Sequence, residues 1–432
     1  MSHRPFSLLA SCLIFHTALP VVAHPNMSLM IDKAASCKGV RKPADANLKR
    51  ADSAVRRCRR ASRRTRCRSR NRVTVSRVTF HGWTDCFRIS NGVVEAVVVP
   101  QIGRVMEFQF VDRPETNVLF VNPAMLGKAA SAAGAGNWAN FGGDKLWPSP
   151  QSEWPLYVGS TWPPDPAFDG TPENANVERD GVRMVTGDST TFGLQATRTF
   201  TMQPGCARLY VNQVLRRTAA PRWGAKTQQP VPDDKEAVGI WSVTQVRPDA
   251  AFFFPVNPQS AFPQGFATFG GDGAPNRTGS VLPSTVTQSR RMIVVRHDPE
   301  GSFKIAVDSR AGYAAAIYGA GILFSEHYQP VPAATYPDGG STLEAYSSAK
   351  PGYEELETLG PLNDIALGSE TRYPIYWELH RLRSREIGDP VTAIVSEESK
   401  SSNLKRARWG HQGKGRCEFQ MPEKPREALA FL

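Results

Sequence analysis

From about residue 73 onward the chain consists of short runs in which apolar and polar residues alternate. The clearest run is Phe192–Gln203, where the even-numbered residues from Leu194 to Met202 are apolar apart from Arg198, and the odd-numbered residues are Thr or Gln. A period of two places these sets on opposite faces of an extended strand. The pattern therefore predicts an antiparallel strand with one buried face.

Turn residues separate these runs and predict hairpins. Pro204 and Gly205 follow the first run and lead into a second at residues 207–216. Helical patterning is thin and allows one or two turns in the Ala-rich residues 123–135. Many short strands with regular turns predict an all-β fold, a large antiparallel β-sandwich over residues 76–389. Other predicted strands are Val93–Val99, Arg104–Val111, Phe303–Asp308 and Tyr373–His380.

Residues 137–170 do not follow this alternation of apolar and polar residues, because no helical or strand period fits them. They contain four of the nine tryptophans, so we predict that most of the segment is loop. Exposed planar rings beside polar side chains suit a saccharide, which offers a C–H face and hydroxyl groups. The alternative is that these rings fasten a long loop to the sheet. The four tryptophans are Trp138, Trp147, Trp154 and Trp162.

The net charge of +12 belongs to the first part of the chain. Residues 1–77 contain 18 Lys and Arg against 3 Asp and Glu, so the remainder is close to neutral. Residues 24–75 have almost nothing apolar to bury, which predicts a basic, disordered segment. Such a segment suits nucleic acid or another anionic polymer, or it has no partner. No base-reading module follows it, so we expect no specific nucleic-acid binding.

The first 23 residues resemble a secretory signal peptide, with an apolar run and small residues at Val21–Ala23. We therefore expect a secreted or periplasmic protein without a transmembrane span in its mature chain. Residues 390–432 form a polar C-terminal tail. Cysteine spacing suggests no zinc site, and it does not decide whether Cys86 and Cys206 form a disulfide. We expect neither a metal nor a cofactor.

Several segments in order resemble the galactose-mutarotase-like β-supersandwich, and most closely a bacterial branch with a GGDKxWPxPQ block. EAVVVPQIGRVMEFQF resembles its early strand pair, and FGLQATRTFTMQPGCARLYVNQVLRRT resembles its middle hairpin. AVGIWSVTQV is similar to the following strand, and GYEELETLGPLNDIALGSETRYPIYWEL to the segment with the catalytic carboxylate. The resemblance covers about residues 76–385. It implies a sugar-related protein.

In mutarotases a glutamate removes the anomeric proton while a histidine protonates the ring oxygen. The resemblance implies that Glu357 is this base, with Glu355 as the fallback; a solvated acidic turn is the alternative. The segments that carry the family's histidines contain none here, which leaves Lys145 or His327 as the acid. A lysine serves only if burial lowers its pKa. The predicted saccharide-binding residues are Arg104, Asp144, Lys145, Trp147, Gln151, Trp154, Trp162, Trp241 and Gln245.

Three functional hypotheses follow. The first is a carbohydrate-binding sandwich that holds a saccharide or polysaccharide in a cleft lined by the Trp-rich loop. The second is a sugar-active enzyme, either an aldose 1-epimerase or a lyase-like relative, with Glu357 as general base. The third is an envelope structural or adhesion protein attached through its basic segment.

Overall fold

The computed structural model describes residues 72–133, 138–221, 237–270, 274–276 and 280–382, all within one structural unit of the chain. Apart from short 3₁₀ turns and the helices Trp154–Val158 and Pro166–Asp169, the regular elements are strands. The strands are β1 (Thr74–Phe80), β2 (Trp83–Ser90), β3 (Val94–Val99), β4 (Arg104–Phe110), β5 (Asp144–Ser149), β6 (Asn174–Glu178), β7 (Gly181–Val185), β8 (Leu194–Thr201), β9 (Arg208–Arg217), β10 (Gly239–Val246), β11 (Ala250–Pro255), β12 (Ala267–Phe269), β13 (Pro275–Asn276), β14 (Val286–Gln288), β15 (Met292–Arg296), β16 (Phe303–Val307), β17 (Tyr313–Tyr318), β18 (Ile322–His327), β19 (Leu343–Ser348), β20 (Tyr353–Leu359) and β21 (Glu370–Arg381).

The strands form three antiparallel sheets. The first is the four-stranded meander β1-β2-β3-β4. The second has seven strands in the order β13-β12-β16-β19-β20-β10-β5, and the third has ten in the order β14-β15-β11-β17-β18-β21-β9-β8-β7-β6. The predicted all-β fold, a large antiparallel sandwich, is confirmed.

The seven- and ten-stranded sheets pack against each other. Leu356 of β20, together with Phe324 and Trp377 of the ten-stranded sheet, is buried in one apolar core. Thr244 of β10 donates a hydrogen bond to Glu326 of β18 between these sheets. Because successive strand residues point to opposite faces, the neighbours of Thr244 and Glu326 point away from this core. We call those sides the outer faces of the two sheets.

The predicted hairpins form close to their expected bounds, as β8 with β9 and β3 with β4. The one charged residue on the apolar face of β8, Arg198, is buried in ion pairs with Asp144 and Glu173, at 3.0 and 3.1 Å. Two carboxylates compensate the cation, so the strand keeps its buried face despite the charge. The Ala-rich segment contains two 3₁₀ turns, Pro123–Met125 and Ala130–Ala133.

The Trp-rich segment differs from the prediction, because its residues 144–149 form β5 at the edge of the seven-stranded sheet. All six residues are buried, so the strand shows no polar alternation in the sequence. Its Pro148 is tolerated because an edge strand has one side without a strand neighbour. The two short helices follow directly, so less of this segment is loop than we predicted.

The Cys86–Cys206 disulfide that the sequence left open does not form. Cys86 is buried with a free thiol, whereas Cys206 is disulfide-bonded. The helices in the described ranges are all too short or too polar to span a membrane. The predicted signal peptide, the predicted basic segment up to residue 71 and the predicted C-terminal tail lie outside the described residues, whereas Thr74 and Val75 already belong to β1.

Candidate functional site

Three adjacent strands of the seven-stranded sheet, β20, β10 and β5, bring six of the predicted residues to one outer face. In the sheet register Gln245 of β10 is opposite Glu355 of β20, and Glu357 is opposite Glu344 of β19. On β5, Lys145 is opposite Val243, which shares a face with Gln245. Glu355 and Glu357 lie on one buried strand, so the alternative of a solvated acidic turn is wrong.

Lys145, Gln245 and Glu355 form one polar group, which we call the Lys145 centre. The Lys145 ammonium lies 2.7 Å from Glu355 Oε1, and Gln245 Nε2 donates to the same oxygen at 2.9 Å. Lys145 Nζ also lies 4.8 Å from the ring centre of Trp147 and 5.3 Å from that of Trp138. Burial lowers the pKa of Lys145, and the neighbouring Glu355 opposes this shift. The lysine thus has the pKa direction that the sequence argument required of an acid.

A second polar group on the same face, the Lys304 centre, contains Lys304, Glu344, Glu357 and Trp241. Lys304 Nζ lies 2.8 Å from Glu344 Oε2 and 3.0 Å from Glu357 Oε2. Trp241 Nε1 donates to Glu357 Oε2 at 2.8 Å, and the Lys304 ammonium lies 4.0 Å from the Trp241 ring centre. Of these four residues, the sequence argument missed Lys304 and Glu344. Their signal is a charged residue inside each of two apolar strands, FKIAV and LEAYSS.

Burial dominates the ionisation of this second centre. It raises the pKa of Glu344 to about 7 and that of Glu357 to about 8, against the attraction of Lys304. The nearby Asp338 is affected in the same way, with its pKa raised to about 6. The pKa of Lys304 is raised, because the two glutamates outweigh the effect of its burial. Near neutral pH the carboxyl groups of this centre can therefore gain and lose protons.

Indole rings cover the Lys145 centre. Trp138 and Trp147 donate from Nε1 to Asp169 Oδ2, at 2.7 and 3.2 Å, and Asp169 also pairs with the buried Arg104. This network fixes the orientation of both rings over the lysine. Arg104 therefore helps to position the two rings through its ion pair with Asp169.

Trp162 is the only one of the four tryptophans in this segment with a largely exposed side chain, at 44%. Its ring centre lies 4.9 Å from that of Trp138 and 5.8 Å from that of Trp147. Trp154 is buried and donates to the carbonyl oxygen of Pro148 at 2.9 Å. Trp154 therefore fastens the segment to the sheet, as one of the two interpretations predicts, whereas Trp162 is exposed.

Three predicted residues lie elsewhere. Asp144 points to the inner side, where it pairs with Arg198 at 3.0 Å, and Gln151 donates to the carbonyl oxygen of Thr161 at 2.9 Å. His327 follows the inward-pointing Glu326 and so lies on the outer face of the ten-stranded sheet. Both sheets then separate His327 from Glu357. The structure does not bring this histidine to the site.

The His327 ring instead stacks on Tyr376, with ring centres 4.5 Å apart, and Nε2 lies 2.9 Å from Ser325 Oγ. Burial lowers its pKa to about 4. Nowhere in the described ranges do three His, Cys, Asp or Glu side chains come together as a metal site.

Comparison with protein-family models and with curated proteins found no match. Solved structures are similar over about seven tenths of the chain. One is a galactose mutarotase-like protein from Clostridium acetobutylicum, with 9% identity, covering 72% of this chain and 99% of that chain at a TM-score of 0.45. Another is a galactose mutarotase-like protein from Lactobacillus casei, with 10% identity, 68% and 100% coverage and a TM-score of 0.44.

A third is a galactose mutarotase related enzyme from Lactobacillus acidophilus, with 8% identity, 69% and 98% coverage and a TM-score of 0.44. The low identities and TM-scores carry no residue roles over to this chain, so its function has to be argued from its own side chains.

Proposed function

We propose that this protein binds a saccharide on the outer face of the seven-stranded sheet, with Trp162 as the stacking surface. The observation that carries the proposal is the 44% exposure of Trp162 directly beside two rings that cover a buried polar centre. Tryptophan is on average a highly buried residue, so the 44% exposure of Trp162 sets it apart from the other rings of this segment. An aromatic face next to hydrogen-bonding groups suits the two kinds of surface that a sugar presents.

The lysines narrow the choice of stacking ring. Lys145 lies over the Trp147 ring and Lys304 over the Trp241 ring, so these indole faces are already occupied by cations. Trp154 is buried in the core. Trp162 therefore offers the accessible face, and Trp147 packs edge-on against it, with Trp154 in turn against Trp147.

The polar groups beneath the rings favour a ligand rich in hydroxyl groups. Gln245 is fully buried, and its Oε1 accepts no hydrogen bond. Leaving such an acceptor without a donor costs about 1–3 kcal/mol. A sugar hydroxyl would supply the missing donor if the covering indole rings moved aside, because Gln245 itself has no exposed surface.

The test is a tryptophan fluorescence titration with cellohexaose, maltohexaose and xylohexaose. Wild-type fluorescence should change for at least one of them. Trp162→Ala should weaken that affinity roughly fivefold, equivalent to about 1 kcal/mol of lost stacking, and Trp162→Phe should retain most of it.

The matched control for Trp162→Ala is Leu367→Ala, since Leu367 is an exposed apolar residue that lies outside the site. The affinity of Leu367→Ala for the hexasaccharide should equal that of the wild type. Absence of a response across the panel, or equal affinity in Trp162→Ala and the control, would reject the proposed surface.

A second candidate function is acid–base catalysis on the bound sugar, favoured by the 2.7 Å contact of Lys145 with Glu355. Glu355 would accept the anomeric proton, and Lys145, whose pKa is lowered, would donate one to the ring oxygen. Glu357, the base implied by the resemblance, is enclosed by Lys304 and Trp241 and is fully buried. Glu355 retains 9% side-chain exposure and is the more accessible carboxylate.

Polarimetry of freshly dissolved α-D-glucose and α-D-galactose tests this candidate. An acid–base pair should accelerate mutarotation, and Glu355→Gln should reduce the enzymatic rate by roughly 100-fold. Wild-type rates equal to those of buffer alone would leave a binding protein without turnover.

A further inference from the structure

The Lys304 centre holds more carboxyl groups than cations. Glu344 and Glu357 are direct neighbours across β19 and β20, both are fully buried, and both contact Lys304 Nζ. Asp338, a third carboxyl group, interacts with Glu344 and Lys304. Like charges directly opposite each other on neighbouring strands are destabilising, and a buried net charge is costly. Three ionised carboxylates around one ammonium are therefore unfavourable, and the centre should retain a proton.

The geometry indicates where this proton lies. With both groups ionised, Glu344 Oε1 and Glu357 Oε1 accept no hydrogen bond, although both are buried. Protonation of either carboxyl group creates a donor, and the two side chains are close enough for a hydrogen bond between them. Paired carboxyl groups of this kind take up one proton as a unit. The raised pKa values of the two glutamates agree with this arrangement.

Contacts connect this pair to the proposed stacking surface. Trp241 donates to Glu357, and its ring centre lies 5.1 Å from that of Trp147. The Trp147 ring centre in turn lies 5.8 Å from that of Trp162. On β20, Glu355 of the Lys145 centre lies two residues from Glu357, and its charge raises the pKa of Glu357.

We propose that Glu344 and Glu357 share a single proton and that saccharide binding at Trp162 is linked to it. This inference rests on the proposed function. A ligand over the Trp rings would exclude water from Glu355, whose charge is then less screened and repels a second negative charge on the pair more strongly. Ligand binding would thus strengthen proton binding, and by reciprocity the protonated pair would favour the ligand.

The other charged groups around the pair set the pH range. Lys304 favours ionisation of both glutamates, whereas Asp338 opposes ionisation of Glu344. Glu153 acts on Asp338 and not directly on the pair. Since the pKa values lie at about 7 and about 8, affinity should fall as pH rises through this range.

The experiment measures affinity between pH 6 and pH 9 for the hexasaccharide with the largest fluorescence change. These probes are neutral, so the protein alone supplies any pH dependence. We expect roughly fivefold weaker binding at pH 9 than at pH 6, a coupling at the low end of the usual range. Calorimetry at pH 7.5 in phosphate and in Tris should show net proton uptake on binding.

Glu344→Gln and, independently, Glu357→Gln should remove both the pH dependence and the proton uptake, since neither variant retains a carboxyl pair. Glu354→Gln is the matched control, because Glu354 is a buried carboxyl group on the inner face of the same strand. This control should keep the wild-type pH dependence.

A second readout needs no ligand. Wild-type tryptophan fluorescence should show a pH transition between about 7 and about 8, because the Trp241 indole contacts Glu357. Glu344→Gln should abolish this transition.

Absence of this transition in the wild type overturns the shared proton. Affinity that is constant from pH 6 to 9, or a pH dependence that survives in both Gln variants, overturns the linkage but leaves the Trp162 surface standing. Absence of a saccharide response at every pH removes the proposed function, and the linkage with it.

Discussion

The outer faces of the two large sheets carry similar side chains in different surroundings. On the seven-stranded sheet, Glu357 is fully buried and its pKa is raised to about 8, mainly by burial. On the ten-stranded sheet, the Glu378 side chain is 14% exposed, and its pKa is lowered to about 2. Burial also acts against the charge of Glu378, but hydrogen bonds from His380 and Arg208 outweigh it.

The difference shows that the ratio of donors to carboxyl groups decides the ionisation of a strand-borne glutamate. Glu378 alone faces two nitrogen-bearing side chains, with Arg208 Nε at 2.9 Å and His380 Nε2 at 3.4 Å. Glu357 shares the single ammonium of Lys304 with Glu344. A fixed anion is therefore held on one face, and a group that exchanges protons near neutral pH is held on the other.

Removing the cation from each face gives the largest expected effect. Lys304→Met would leave two buried carboxyl groups without their ammonium and should lower the free energy of unfolding at pH 7 by about 3 kcal/mol. Arg208→Met, on the more exposed face, should cost about 1 kcal/mol. Urea denaturation followed by circular dichroism measures both. Equal losses in the two variants would contradict the assigned difference between the faces.

Part of the fold could be predicted from the sequence, because strands such as β8 and β21 bury alternate residues. The alternation in β8 predicted both that strand and its hairpin with β9. In contrast, β5 has both faces buried, so the period-two signal was lost among its Trp and Pro residues. Arg198 looked like an exception because its partners, Asp144 and Glu173, come from distant parts of the chain.

The site was predictable where residues are close in sequence or covered by the resemblance. Glu355 and Glu357 share one strand, and Lys145, Trp241 and Gln245 lie in segments that the resemblance covered. Lys304 and Glu344 belong to β16 and β19, whose positions beside β20 follow only from the sheet order. His327 was misplaced for a related reason, since the sequence shows neither the sheet to which this residue belongs nor the face on which it lies.

A smaller effect concerns the pH dependence of stability. The pKa of Glu357 in the folded protein is higher than its ordinary value of 4.5, so the folded state binds more protons between pH 4.5 and about 8. Glu357 should therefore make stability decrease as pH rises through this window, by on the order of 1 kcal/mol per pH unit. The contribution of Glu378 to the pH dependence of stability has the opposite sign. Its folded pKa lies below the ordinary value, so its contribution is present above pH 4.5 and is lost as pH falls towards about 2.

Two variants separate these contributions. Urea unfolding midpoints measured from pH 3 to pH 9 should decline less between pH 5 and 8 in Glu357→Gln than in the wild type. In Glu378→Gln the change should be confined to the acid side, with a shallower loss of stability below pH 4.5. Each variant serves as the control for the other, because the two carboxyl groups lie on opposite outer faces and share no partner among the described contacts.

If Glu357→Gln keeps the wild-type slope between pH 5 and 8, then Glu357 is ionised throughout that range. The Lys304 centre would then be a fixed ion pair like that of Glu378, and the distinction between the two faces would be lost.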